Sequence, residues 1–145
     1  MDDGMTYRDA GVDIEAAEET LRSLSETIKS THGPRVIASQ ADFGGLFALG
    51  AYEDPVLVAG ADGVGTKLKL AFITGVHDTV GQDLVAMNVD DIVCMGARPL
   101  FFMDYLATGT IEKSTIKAVV TGIASACRKA GCALLGGETA EMPGF

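Results

Sequence analysis

Tryptophan is absent from the 145-residue sequence, and histidine (two), cysteine (three) and proline (four) are scarce. Cys94, Cys127 and Cys132 are odd in number and form no C-x-x-C pair. That argues against a disulfide framework or a zinc–thiolate site and favours a reducing, cytoplasmic setting. Positive charge is also short. Eleven Lys and Arg against 20 Asp and Glu leave a net charge of −9, with an isoelectric point near 4.5. Nucleic acid and an anionic membrane surface are therefore excluded as main partners, and any anion must be bound locally by glycines, metal ions and a few cations. No apolar run approaches the ~20 residues of a membrane span, and no basic-then-apolar leader opens the sequence. Internal repeats and low-complexity tracts are missing too.

What is present is a composition of 48% hydrophobic and 21% charged residues, as expected of one soluble globular domain with a real core. Met1 to Val12 reads as a loose arm. From a candidate N-cap at Asp13, the apolar positions Ile14, Ala17, Leu21, Leu24 and Ile28 recur at helical spacing up to the stop at Gly33-Pro34. Ala41 to Leu49 carries the pair Gly44-Gly45 into a short apolar run, either a strand entered through a loop or a mobile loop covering phosphate. Thr79 and Gln82 have capping-box spacing and open a helix to about Met95, before Gly96 and Pro99. Leu100 to Ala107 alternates as a strand, apolar on both faces except at Asp104, so the expectation is a central strand covered twice. Ile116, Val119, Val120, Ile123 and Cys127 form the apolar face of a helix stopping at Gly131, with Cys127 in the core. Cys132 to Leu135 is a last short strand, followed by a Gly-Gly-led loop. The class is α/β, with about four strands covered by helices.

The chemistry centres on Ala59-Gly-Ala-Asp-Gly-Val-Gly-Thr-Lys67, preceded by the apolar run Pro55-Val-Leu-Val58, read as a short buried strand. A strand running into glycines and a basic residue is a common way to present backbone N–H groups to phosphate. It is neither a Walker loop, since Thr66 precedes Lys67, nor a dinucleotide fingerprint, since Leu68 stands where the third glycine belongs. A glycine-rich turn that merely joins strand to helix is the alternative. On the following helix Leu84, Asn88, Asp91 and Met95 share one face, which puts Asp91 on an otherwise buried stripe. It either serves a cation, or pairs with Arg98 or caps a neighbour. Asp62, Asp91 and Glu138 are thus three acidic residues at strand ends and on a helix face, a pattern suited to Mg²⁺ on ATP phosphates.

Four motifs, in order, carry a resemblance: Asp62-Gly-Val-Gly-Thr-Lys67, Asp83-Leu-Val-Ala-Met-Asn-Val-Asp-Asp91, Pro99-Leu-Phe-Phe-Met-Asp-Tyr105 and Gly136-Gly-Glu-Thr-Ala-Glu-Met-Pro-Gly144. With the opening Tyr7-Arg-Asp-Ala-Gly-Val-Asp13, they resemble the phosphoribosylformylglycinamidine cyclo-ligase family over nearly the whole chain. The resemblance implies an N-terminal ATP-binding and dimerisation domain over residues 1–145, with a second α/β domain beyond it. It also implies a two-fold homodimer that closes a β-barrel from both sheets. The implied substrates are ATP with Mg²⁺ and formylglycinamidine ribonucleotide. By the same resemblance Asp62, Asp91 and Glu138 would hold the metal, with Asn88 assisting. Gly63, Gly65, Thr66 and Lys67 would line the phosphates, and the Gly44-Gly45 loop would match the family's glycine-rich N-terminal segment. Lys67, His77 and Asp104 are the candidates for catalysis. Asp90, where the family has Asn as often as Asp, makes the site more acidic. Two other functions fit the same residues: another ATP-using member of the wider superfamily, acting on a different acceptor, or an inactive dimerisation module.

Overall fold

The computed structural model describes residue 6, residues 14–37 and residues 44–144. The Asp13 cap, the Tyr7 to Asp13 motif and the Ala41 to Phe43 entry to a strand lie outside the described residues. The elements run α1 (Ile14–Lys29), β1 (Val36–Ile37), β2 (Leu46–Phe47), α2 (Lys67–Thr74), α3 (Asp78–Cys94), β3 (Phe101–Thr108), α4 (Lys113–Ala130) and β4 (Ala133–Glu141).

The folding unit is β3–α4–β4, two parallel strands joined by a helical crossover. Both ends of α4 are written locally. Glu112 is its N-cap and accepts from the backbone N–H groups of Ser114 and Thr115. The Ser114 and Thr115 hydroxyls bond the same carboxylate and hold its pKa down to about 2. Gly131 closes the helix at φ 70°, a left-handed conformation that glycine adopts without strain. The buried face of α4 (Ile116, Val120, Ile123, Ala124, Cys127) meets Leu24 of α1, Val85 of α3 and Leu134 of β4 in one core. Gly81 of α3 and Gly122 of α4 are what let those helices touch. A Cβ on the first would overlap the Val119 carbonyl, and one on the second the Asp78 carbonyl.

Four readings of the sequence are corrected. First, strand pairing among the described residues forms two two-stranded sheets, β1–β2 antiparallel and β3–β4 parallel, not one sheet of about four strands. Pro55 to Val58 is unpaired and open to solvent, with Val56 87% exposed, because no strand among the described residues lies alongside it. Second, β3 is covered on one face only. Phe102 and Leu106 pack on the core, whereas Met103 (57%) and Tyr105 (66%) are exposed on the other side. Third, β4 continues through Gly136-Gly137 to Glu141, where the sequence suggested a loop. Its ladder with β3 holds these residues extended, and Gly137 fits because a Cβ there would collide with the Asp104 carboxylate and carbonyl. Fourth, α3 starts at Asp78 with His77 at the N-cap and no side-chain cap, so Thr79 does not open a capping box.

The β3–β4 register shifts at Phe102/Met103, leaving Leu135 as the extra residue of β4. Gly45 packs directly against Leu135, and Phe47 of β2 stacks at a tilt on Phe101, ring centroids 5.5 Å apart. The short hairpin thus lies over the start of the β3–β4 pair. Next to the shift, Thr31 accepts from the Leu134 N–H at 2.9 Å. The His32 ring bonds the Leu134 carbonyl at 2.8 Å. The turn after α1 therefore satisfies this stretch of strand edge with side chains.

Candidate functional site

The glycine-rich stretch lies against α3 and then turns into α2. Asn88, buried on α3, anchors it. Asn88 Oδ1 accepts from the Asp62 N–H at 2.8 Å, and Nδ2 donates to the Asp62 carbonyl at 3.0 Å and to the Leu84 carbonyl at 2.9 Å. Asp62 Oδ1 in turn accepts from the Gly63 N–H at 2.8 Å. Gly60 rests on the same helix, where a Cβ would come within 3.7 Å of Ile92 Cδ1 and 3.9 Å of Asp91 Cβ. Gly65 turns at φ 57° into α2.

Between this stretch and β3 lies an open trough of about 870 Å³, lined among others by Tyr52, Val56, Asp62, Asn88, Arg98 and Asp104. Asp104 sits on the inward face of β3 over Gly137, and burial pushes its pKa up from 3.8 to about 6. At the rim Arg35 Nη1 donates to the Tyr52 hydroxyl at 3.3 Å, which lowers the phenol's pKa. In the core, the neighbouring Cys132 and burial hold the Cys127 thiol well above the usual range, as befits a packing residue.

Asp62, Gly63, Asn88 and Asp104 are therefore gathered at the trough, with Asp91 against Gly60 beside it. Asp91 is exposed, since the α3 stripe leaves the core beyond Asn88, and it makes no ion pair with Arg98 among the described residues. The other candidates stand elsewhere. Lys67 points to Asp83 of α3, Nζ to Oδ2 3.7 Å, both side chains about half exposed. The two flank a second hollow between α2 and α3 that Thr79 also lines. Thr66 occupies the N-cap position of α2 without a side-chain cap bond, and His77 the N-cap of α3. Glu138 pairs in register with Tyr105 on the exposed face of the sheet. Gly44 is exposed and Gly45 lies on Leu135. Among the described residues no three His, Cys, Asp or Glu side chains gather closely enough to hold a metal by themselves. Asp62, held on Asn88, and Asp91, on the same helix against Gly60, still offer the one or two carboxylates that commonly hold Mg²⁺ together with substrate phosphates. The Asp62 backbone as the partner of Asn88, and Asp83 as the partner of Lys67, were missed from sequence. Each joins segments 16 or more residues apart that share no periodicity.

The architecture is an α/β fold also found in thiamine-monophosphate kinase from Stenotrophomonas maltophilia, with a TM-score of 0.65. The match covers 83% of this chain and 38% of that one, and at 23% identity it bears on the fold alone. The chain belongs to the family of AIR synthase related proteins, whose N-terminal domain its residues 42–144 match. Curated relatives named phosphoribosylformylglycinamidine cyclo-ligase are 60% identical in Magnetococcus marinus, over 98% of this chain. The figures are 60% in Trichlorobacter lovleyi and 54% in Alkaliphilus metalliredigens, each over 97% of the chain. The family resemblance read from the motifs is thereby borne out. The chain spans 41% of the length of each of these three relatives.

Proposed function

We propose that this chain is the N-terminal, ATP-binding and dimerisation domain of a cytoplasmic phosphoribosylformylglycinamidine cyclo-ligase. The enzyme would use ATP to close formylglycinamidine ribonucleotide into aminoimidazole ribonucleotide, a step of purine biosynthesis. The observation that carries the reading is the Asp62 turn, held on α3 next to Asp91 at the edge of the trough. The 60% identity to relatives of that name supports the choice of reaction.

In this reading the formyl amide oxygen attacks the γ-phosphorus, the amide nitrogen gives up its proton and ADP leaves, giving an imidoyl phosphate. The amidine-side nitrogen then attacks the imidoyl carbon, phosphate departs with the C–O electron pair, and the nitrogen loses its proton as the ring forms. An amide oxygen is a poor leaving group and phosphate a good one, which is why ATP is consumed. Mg²⁺, when bound, would neutralise charge on the phosphates, and Asp62 and Asp91 are the residues to hold it; Glu138, on the exposed face of the sheet, stands apart from them in this fold. Gly63, Gly65 and Thr66 offer backbone and hydroxyl donors to phosphate, and Lys67 swings from Asp83 to the transferring group. Asp104 is poised to take up the ring-closure proton, since a carboxyl titrating near 6 can exchange protons close to neutral pH. His77 and the Gly44-Gly45 loop are assigned to substrate contact and to covering the nucleotide.

The exposed apolar surface of β3 together with Val56 and Leu57 supports the homodimer. Pairing the unpaired Pro55 to Val58 run and the open sheet face of two copies would bury both and begin to close a barrel. The test of function is ATP turnover by a polypeptide of the relatives' full length carrying this domain. The proposal expects ADP and phosphate release only with formylglycinamidine ribonucleotide present. Turnover with a different acceptor instead would point to another activity in the superfamily, and no turnover with any acceptor would leave a dimerisation module.

A further inference from the structure

We propose that Asn88 is a positioning residue that fixes the Asp62 carboxylate relative to Asp91, and that it does not touch the nucleotide itself. The Asn88 side chain is buried, with 8% of the residue exposed, and its carboxamide is committed. Both N–H donors go to carbonyls, of Asp62 and Leu84, and Oδ1 accepts from the Asp62 N–H. No donor is left for a phosphate oxygen. The amide can stand only one way round, since a flip would set its NH₂ against an N–H and its oxygen against two carbonyls.

Bonding both the N–H and the C=O of one residue is what a neighbouring strand does in an antiparallel ladder. Among the described residues the stretch from Pro55 to Gly60 has no strand partner, and at Asp62 the Asn88 side chain supplies such a pairing. Asp91 follows Asn88 by three residues on the same helix and abuts Gly60. One turn of α3 thus carries one carboxylate and clamps the loop that carries the other. With the Asp62 backbone fixed and Oδ1 accepting from the Gly63 N–H, Oδ2 keeps both its lone pairs for a cation.

This role depends on the metal–nucleotide reading of Asp62, so the experiment reads the clamp and the ligand separately. Amide hydrogen exchange over residues 60–64 and calorimetric binding of ATP, with Mg²⁺ and with EDTA, are measured on the chain and on Asn88→Ala. Loss of these buried hydrogen bonds should raise exchange about 10-fold or more and weaken Mg²⁺-dependent ATP binding about 10-fold. Binding in EDTA should stay unchanged. In an Asp62→Asn background Asn88→Ala should cost no further Mg²⁺-dependent affinity. Should Asn88→Ala not fold, Asn88→Asp keeps the acceptor, loses both donors and carries the same expectations. Unchanged exchange overturns the clamp. Faster exchange with unchanged Mg²⁺·ATP affinity, or an equal loss in EDTA, overturns the positioning role. Wild-type chain that binds no Mg²⁺·ATP overturns the metal–nucleotide reading and the positioning role with it, while the exchange data still report whether the clamp exists.

Discussion

Asp104→Asn isolates one buried carboxyl. Asp104 lies on the core side of β3, and Gly137 leaves room for it on β4. Burial raises its folded pKa from 3.8 to about 6. The neutral form is therefore favoured in the fold. The contribution of this group to stability is full below the unfolded value and is lost as pH rises through the folded one. Above pH 7 the ionised carboxylate costs about 3 kcal/mol relative to a side chain that never ionises, and near pH 4.5 only about 1 kcal/mol. Asn is nearly isosteric and stays neutral, so the variant should be the more stable protein and its advantage should grow with pH. Urea unfolding of both proteins at pH 4.5, 6 and 8 measures this as a difference in midpoint at constant slope. An advantage that is the same at all three pH values, or one that shrinks towards pH 8, would refute the claim that this carboxylate is desolvated.

Other outcomes follow from the same geometry. Gly122→Ala should destabilise the fold by about 1–3 kcal/mol, because the new methyl meets the Asp78 carbonyl of a packed helix; an unchanged thermal midpoint would mean α3 and α4 are not in close contact. Lys67→Ala should weaken ATP use by ~1–3 kcal/mol, as for a lost charge-assisted hydrogen bond, with little effect on folding since the side chain is about half exposed. Unchanged ATP dependence would leave Lys67 as no more than a surface partner of Asp83. The chain by itself should sediment as a dimer at micromolar concentration, with Phe101, Met103 and Tyr105 at the contact; a clean 15.1 kDa monomer would contradict the pairing of open sheets.

Local grammar was readable in the sequence. The periodicity of Ile116 to Cys127 and the glycine at 131 placed α4 and its end, because caps and amphipathic spacing act over a few residues. What failed depended on distant neighbours. Gly136-Gly137 read as a loop because nothing local says that β3 lies alongside. The Pro55 to Val58 run read as a buried strand because apolar composition does not say whether a partner strand is present. Asp91 read as buried because a helical stripe shows which face turns inward but not where the neighbouring elements stop covering it. At the site, residue types and motif order led to Asp62, Asn88 and Asp91. That the Asn88 carboxamide is spent on the Asp62 backbone could come only from their positions in space.

The central claim is that Asp62 and Asp91 together hold a metal on ATP, and replacing each by Asn within a polypeptide of the relatives' full length tests it most directly. Steady-state ATP turnover with Mg²⁺ and formylglycinamidine ribonucleotide should be abolished in both variants while thermal unfolding stays close to wild type, since both side chains are exposed. Wild-type turnover in Asp91→Asn would contradict the shared-cation account.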